Sequence, residues 1–203
     1  MKLLLATNNA HKAREIREIL GDSFSELLTM KEAGVELDVE EDGETFQENA
    51  LKKAQETLAF VKDRFDAVLA DDSGLCVDAL HGAPGVYSAR FSGEAHNDAA
   101  NNAKLIELLA DVPDEQRTAR FVCCVALTRK DAEPIVVQGE VFGTILRESR
   151  GENGFGYDPY FFYAPFKKSF AELSADEKNA VSHRKRALLK LREALDVEDR
   201  SRF

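Results

Sequence analysis

Sulfur is scarce in this sequence: its cysteines are Cys76, Cys123 and Cys124. The number is odd and no C-x-x-C pair occurs, so a disulfide framework or a zinc site is excluded and a reducing cytoplasm is the expected home. Cys123 and Cys124, neighbours on a strand, are expected to face opposite sides. Long apolar runs are missing too. None approaches the ~18 residues of a membrane span. The apolar start, Leu3-Leu4-Leu5-Ala6, is stopped by Thr7-Asn8-Asn9, too early for a secretory segment, so it reads as a buried first strand. Positive charge is in deficit. With 27 Lys and Arg against 37 Asp and Glu, the net charge of -10 argues against an extended DNA or RNA surface. A small phosphorylated ligand needs only a local cationic pocket. Also absent are a G-x-x-x-x-G-K-[ST] loop, an H-E-x-x-H pair, a G-x-S-x-G elbow, internal repeats and low-complexity segments.

What is present alternates between strand and helix. At 203 residues with 44% hydrophobic content, the chain fits one domain, or one domain of two lobes, with a sizeable core. Lys2–Ala6 reads as a strand and Ala10–Leu20 as a helix with Ile16, Ile19 and Leu20 on one face. Thr45-Phe46-Gln47-Glu48 is a capping-box pattern that opens a helix carrying Ala50, Leu51, Ala54, Leu58 and Val61. Ala67–Ala70 reads as a short strand ending at Asp71-Asp72-Ser73-Gly74. Asn97–Ala110 is helical. Phe121–Thr128 and Ile135–Gly143 form a hairpin around Lys130-Asp131, Ser182–Leu195 is a final amphipathic helix, and residues 196–203 form a polar tail. The alternation predicts an α/β fold with a mixed central sheet flanked by helices. The hairpin provides for a second lobe and a cleft between lobes.

Four constellations carry chemistry. Thr7, Asn8, Asn9, Ala10, His11 and Lys12 lie between a buried strand and a helix, where backbone N–H groups make an anion site. His11 and Lys12 sit where the helix dipole is already positive, a placement that an anionic ligand would offset. The alternative is a surface loop with an ordinary N-cap. Asp71 and Asp72 at a strand end, with Glu40-Glu41-Asp42 in an earlier loop, suit hard Mg²⁺ and water activation; the alternatives are an Asx turn and a solvated acidic run. Gly154-Phe155-Gly156-Tyr157-Asp158-Pro159 joins glycines to an aromatic ring that can stack on a base. The alternative is a turn into an aromatic core strand. In the run from Lys178 to Arg184, Ser182 caps the last helix and places His183 and Arg184 in its first turn with Lys185 and Arg186 behind, so cations again crowd a positive helix end; the alternative is one continuous helix from Asp176 with a basic face.

Together these segments resemble the inosine triphosphate pyrophosphatase family, the Ham1/RdgB-type house-cleaning nucleotidases. The resemblance runs from Leu3 to about Leu195, taken as one domain of two lobes. It rests on Thr7-Asn8-Asn9 with Lys12, Glu48-Asn49-Ala50 with Lys53, Ala70-Asp71-Asp72-Ser73-Gly74-Leu75, Gly82 through Arg90, Gly154 through Pro159, and Ser182-His183-Arg184. It implies an elongated two-lobed fold, a homodimer and Mg²⁺-dependent hydrolysis of a nucleoside triphosphate to monophosphate and pyrophosphate, with Mn²⁺ able to substitute. By resemblance, Thr7 to Lys12 and Lys53 hold phosphates. Asp72 binds metal and acts as general base, and Ser73 touches substrate. Either Glu40 or Glu41 shares the metal, with Glu40 slightly preferred. Phe155 stacks on the purine within Gly156, Tyr157 and Asp158, while Asp158, Lys178, His183 and Arg184 meet the base edge or the nearby phosphates. Asn8 stands where many relatives have Gly, a change that Asn tolerates.

The implied substrates are inosine, deoxyinosine and xanthosine triphosphates, selected by a 6-oxo group facing cationic donors such as Lys178 and Arg184. Adenine would leave those donors unpaired, at a cost of ~1–3 kcal/mol. Guanine shares the 6-oxo group, so its rejection has to arise at position 2. Two rival readings are a Maf-type pyrophosphatase of other base preference, separated by a substrate panel, and a nucleotide sensor that does not hydrolyse. Asp72 and its acidic partners speak against the sensor.

Overall fold

The computed structural model describes residues 1–95 and 97–200. Strand β1 (Lys2–Leu5) pairs in parallel with β2 (Glu26–Thr29) on one side and with β3 (Ala67–Val77) on the other. The hairpin β4 (Thr118–Arg129) and β5 (Ala132–Ile145) turns at Lys130-Asp131, and β6 (Phe161–Tyr163) and β7 (Lys168–Ser169) add antiparallel pairs beyond β5. The result is one seven-stranded mixed sheet, β2-β1-β3-β4-β5-β6-β7. Helices α1 (Ala10–Leu20), α2 (Phe46–Val61), α3 (Asp98–Leu108), α4 (Ala175–Val181) and α5 (His183–Arg200) complete the expected α/β fold.

The chain divides into two compact units. Unit 1 holds residues 1–72, 123–139 and, of those described, 184–200; unit 2 holds 73–95, 97–122 and 140–183. In unit 1 the strands are buried on both faces, which is why Leu3-Leu4-Leu5 and Ala67–Ala70 are unbroken apolar runs. Leu3, Leu5, Ala67, Leu69, Cys123 and Val125 pack against Ala13 and Ile16 of α1 and Ala187 and Leu188 of α5. Leu4, Val68, Ala70, Cys124 and Ala126 pack against Ala50, Ala54 and Val61 of α2. Cys123 and Cys124 therefore do face opposite sides, and the three cysteines are buried thiols rather than disulfide halves. Unit 2 has its own core of Leu75, Val77, Leu105, Val141 and an aromatic group in which Phe121 and Phe161 lie 4.6 Å apart and Phe161 and Phe170 4.8 Å apart.

Helix α1 has the boundaries expected of it, and α2 opens on the capping box, with Thr45 Oγ1 accepting from Glu48 N and Glu48 accepting from Thr45 N. Two elements depart from expectation, β3 and the end of α5, and the alternative of one long C-terminal helix falls away. β3 does not stop at Ala70; it runs on through Asp71-Asp72-Ser73-Gly74 to Val77, so the Asx turn does not form. Local turn chemistry is overridden because both aspartates find partners within the fold. α4 and α5 are separate helices, broken at Ser182, whose ψ of 154° is extended, so there is no continuous helix from Asp176. α5 also runs on to Arg200, making residues 196–200 helical where a polar tail was expected; 201–203 lie outside the described residues. Among the described residues no helix is long and apolar enough to cross a membrane.

Unit 2 buries a guanidinium whose described hydrogen bonds all go to backbone carbonyls. Arg117 is 1% exposed and donates from Nε to Ile145 O at 2.8 Å, from Nη2 to Leu146 O at 3.1 Å, and from Nη1 to Leu109 O at the end of α3. It thereby ties the α3 terminus to the end of β5. Arg117→Met keeps most of the volume but strands these carbonyls, and is expected to cost ~2–4 kcal/mol, read as a lower urea midpoint at an unchanged slope. A wild-type midpoint would contradict the stapling role.

Candidate active site

The site of unit 1 follows from strand alternation. Successive residues of β3 point to opposite faces. Asp71 falls on the face of Ala67 and Leu69, toward α1 and α5, and Asp72 on the face of Val68 and Ala70, toward α2.

Asp71 is 2% exposed and accepts from Lys12 Nζ at 3.0 Å and Arg184 Nε at 3.2 Å; Arg184 Nη1 also pairs with Glu15 of α1. Burial alone would raise the Asp71 carboxyl, but Lys12 and Arg184 outweigh it and hold the group well below the usual carboxylate range. Burial alone would also lower the Arg184 guanidinium, but Asp71 and then Glu15 hold it above its ordinary value. Lys12 and Arg184 both sit in the first turn of a helix, against the dipole. Sequence reasoning assigned their counter-charge to a ligand. The structure supplies it from the protein, in Asp71 for both.

Asp72 has the contrary environment. It is 7% exposed and its Oδ2 accepts from Asn49 Nδ2 at 3.0 Å. Burial, and then the negative charge of Glu41, push its carboxyl up to about 6, with the Asn49 hydrogen bond, Lys12 and Lys53 opposing. Glu41 is itself ion-paired to Lys53 of α2. Asn49 Oδ1 accepts from Gly43 N at 2.8 Å, so one side chain joins the acidic loop to Asp72. A Cβ at Gly43 would lie 2.7 Å from that Oδ1, which explains the glycine. Of the two candidate carboxylates, Glu41 is the one whose charge acts on Asp72, while Glu40 is exposed and acts on Lys52.

The first loop is organised by its own side chains. Asn9 caps α1, its Oδ1 accepting from His11 N at 2.9 Å and Lys12 N at 3.2 Å, and Thr7 Oγ1 accepts from Asn9 N at 3.1 Å. Two of the N–H groups expected to meet an anion are thus taken by the cap. Asn8, Ala10 and His11 are exposed beside it. Ser73 follows Asp72 in β3 and is half-buried.

The remaining predicted residues lie in unit 2, apart from Arg184. Asp158 is buried and accepts from Phe155 N at 2.9 Å and from Lys178, whose Nζ stands 4.6 Å from the Phe155 ring centroid. Gly154, at φ +80°, has no room for a side chain: a Cβ would lie 2.1 Å from Asp158 Oδ2. Phe155 and Gly156 are half-buried. Tyr157 was expected at the ligand; it is instead a core residue whose hydroxyl donates to Ser88 O at 2.8 Å. His183 is buried, stacked on Phe121 at 5.0 Å. Arg184, expected at the base edge, is 1% exposed and committed to Asp71 and Glu15 in unit 1. Sequence reasoning gave no role to Asn49, Glu15 or Asp71's ion pairs. The alternation applied to Cys123-Cys124 applies equally to Asp71-Asp72 and was the available signal.

The carboxylates of Asp72 and Glu41 fit a hard divalent cation. Like charges that raise a pKa are relieved by a cation, and the donors are oxygens. Among the described residues no cluster of three or more His, Cys, Asp or Glu side chains is placed to hold a metal. Mg²⁺ commonly binds through one or two carboxylates and completes its shell with phosphate oxygens and water, a donor set that Asp72 and Glu41 suit.

The model of the Ham1 family matches residues 3–194. The dITP/XTP pyrophosphatase of Clostridium perfringens is 51% identical over 197 residues, covering 96% of this chain and 97% of that one. That of Desulforamulus reducens is 50% identical over 196 residues, with 97% and 96% covered. Among solved structures, the Ham1 protein of Staphylococcus aureus superposes with a TM-score of 0.86 at 40% identity, covering 98% of this chain and 100% of that one. A dITP/XTP pyrophosphatase of Mycobacterium abscessus gives 0.76 at 46% identity, with 94% and 98% covered.

The Asp72 environment has a measurable consequence in metal-free protein. A carboxyl whose folded pKa, here about 6, exceeds its ordinary 3.8 stabilises the fold through its protonated form. That contribution is complete below about pH 4 and is lost as pH rises through about 6. Asp72→Asn, neutral throughout, is therefore expected to melt above wild type at about pH 8 in chelator and to lose the advantage by about pH 4. Equal melting of the two proteins at the higher pH would contradict the assignment.

Proposed function

The chain belongs to the Ham1 family, and from that premise we propose that it hydrolyses non-canonical purine nucleoside triphosphates, those of inosine, deoxyinosine and xanthosine, to the monophosphate and pyrophosphate. The observation that carries this reading is the contrast between adjacent aspartates: Asp71 locked as an anion by Lys12 and Arg184, and Asp72 raised to about 6 beside Glu41. A binder that does not react has little use for a carboxylate raised into the range of a general base.

In this mechanism Asp72 orients and deprotonates the attacking water. Its raised pKa makes it a stronger base than an exposed aspartate while leaving it ionised at neutral pH. Asn49 fixes one carboxylate oxygen of Asp72 by its hydrogen bond. Asp72 and Glu41 would hold Mg²⁺, with Mn²⁺ able to replace it. The ion, when bound, supplies Lewis-acid neutralisation of charge on the departing pyrophosphate. Lys12 and Lys53 supply further positive charge to the phosphates, and the exposed Asn8, Ala10 and His11 offer polar contacts beside them. Ser73 adds a hydroxyl to the substrate contacts.

Base choice falls to unit 2. Phe155 provides a stacking face, and Lys178, anchored by Asp158 over that ring, is the donor for a 6-oxo group. Adenine presents an amino group instead and leaves a donor unpaired, at a cost of ~1–3 kcal/mol. Arg184 holds Asp71, which in turn holds Lys12. The net charge supports a small-molecule substrate rather than nucleic acid, and three buried thiols suit a reducing cytoplasm.

Pyrophosphate released from inosine triphosphate in Mg²⁺ buffer is the primary test, with inosine and xanthosine triphosphates preferred over those of guanosine and adenosine. Chelator should abolish turnover, and Asp72→Asn should lower kcat by ~10²–10⁴ with the fold intact. Equal rates for adenosine and inosine triphosphates would remove the house-cleaning role, and near-normal Asp72→Asn turnover would remove the general base. A homodimer is the proposed assembly; light scattering that gave the mass of one chain, 22.6 kDa, at micromolar concentration would contradict it.

A further inference from the structure

Phe155 sits in a loop whose backbone is held on both sides by side chains. Its own N–H donates to Asp158 Oδ2 at 2.9 Å. The next peptide N–H, of Gly156, donates to Asp98 Oδ2 at 2.7 Å, and the Gly156 carbonyl accepts from Asn102 Nδ2 at 2.9 Å. Asp98 and Asn102 are one turn apart on α3, at positions i and i+4, so they project from one face of the helix. Asn102 Nδ2 also donates to Asp98 O at 2.9 Å, which fixes the amide's orientation. Gly156 lies at φ +61°, the left-handed region, where a loop left to itself would sample other conformations. With the peptides before and after Phe155 each tied down, both backbone torsions of Phe155 are set, and with them the direction of the Cα–Cβ bond that carries its ring.

Asn102 is 9% exposed, and no described donor reaches its Oδ1, so its amide is spent on gripping carbonyls. A buried polar group used this way is costly unless the geometry it enforces matters. Asp98 is exposed, so its hydrogen bond adds little to the core; it acts on Gly156 alone among the described hydrogen bonds of its carboxylate.

We propose that Asp98 and Asn102 are positioning residues for base recognition: α3 grips Gly156 by its N–H and its carbonyl, and so presents the Phe155 ring as a preformed shelf for the purine. The inference rests on the reading of Phe155 as the stacking residue. Preorganisation of this kind lowers the ordering cost of binding, so its loss weakens affinity for any ligand that carries a base and leaves phosphate chemistry alone.

The test uses the full-length chain with Mg²⁺ and compares Asp98→Ala, Asp98→Asn, Asn102→Leu and Phe155→Ala. It reads KM and kcat for inosine triphosphate, inhibition by inosine monophosphate, and inhibition by pyrophosphate, which carries no base. Asp98→Ala is expected to raise KM and the inosine monophosphate inhibition constant about ten-fold, or ~1.4 kcal/mol. Its kcat should stay within about twofold and its pyrophosphate inhibition should not change. Asp98→Asn keeps an acceptor oxygen and should restore most of the loss. Asp98 is exposed, so its variants keep the fold even if Asn102→Leu does not. A wild-type KM in Asp98→Ala, or pyrophosphate inhibition weakening in step with KM, would overturn the positioning role. A wild-type KM in Phe155→Ala would instead overturn the shelf itself, and absence of pyrophosphate release by the wild type would overturn the parent reading.

Discussion

Asp71 is where unit 1 is tied together. Its carboxylate receives Lys12 from α1 and Arg184 from α5, two cations placed where each helix dipole opposes them. Taken out of water, such a group is stable only if its partners are complete, and removing one member strands the others. Glu15 closes the set by taking the other end of Arg184. The cluster explains why the chain comes back to unit 1 at residue 184 after its long excursion through unit 2. It also places Lys12 where its charge acts on Asp72 as well as on Asp71.

The neighbouring residue has the opposite fate for a reason as simple as the pleat. One step along β3 turns Asp72 to the α2 face, where its company is an amide, a second carboxylate and a lysine already paired to that carboxylate. Burial without full neutralisation raises its pKa. Two carboxylates adjacent in sequence thus come to titrate in opposite directions from their ordinary value, their environments pushed apart as the two sides of a sheet allow. In unit 2 the same economy recurs: Asp158 holds Phe155 N–H and the Lys178 ammonium with one carboxylate.

Much of the fold was legible in the sequence because unit 1 is built from patterns that local chemistry fixes. A strand buried on both faces must be an unbroken apolar run, an Asn before a helical pattern is a cap, and Thr45 with Glu48 is a reciprocal one. Long-range partners were not legible. Asp-Ser-Gly is good turn chemistry, and nothing local reveals that Asn49, 23 residues earlier, will hold Asp72 in a strand. The acidic loop has no period, so nothing local tells Glu40 from Glu41, and only the fold shows that it is Glu41 whose charge acts on Asp72. The protein partners of Arg184 were not legible for a related reason. A cation at a helix start signals a missing anion, and a ligand phosphate and a protein carboxylate answer that signal equally well. The Glu48-Asn49-Ala50 motif was visible too, but a buried amide has no meaning until its partner is known.

The central claim is that Asp71 and Asp72 differ in charge behaviour because they lie on opposite faces of one strand. A ¹³C titration of the two side-chain carboxyls in the metal-free protein tests it most directly. Asp72 should titrate near pH 6, and Asp71 should remain ionised to the lowest pH at which the fold survives. Both groups titrating together near their ordinary 3.8 would contradict the account.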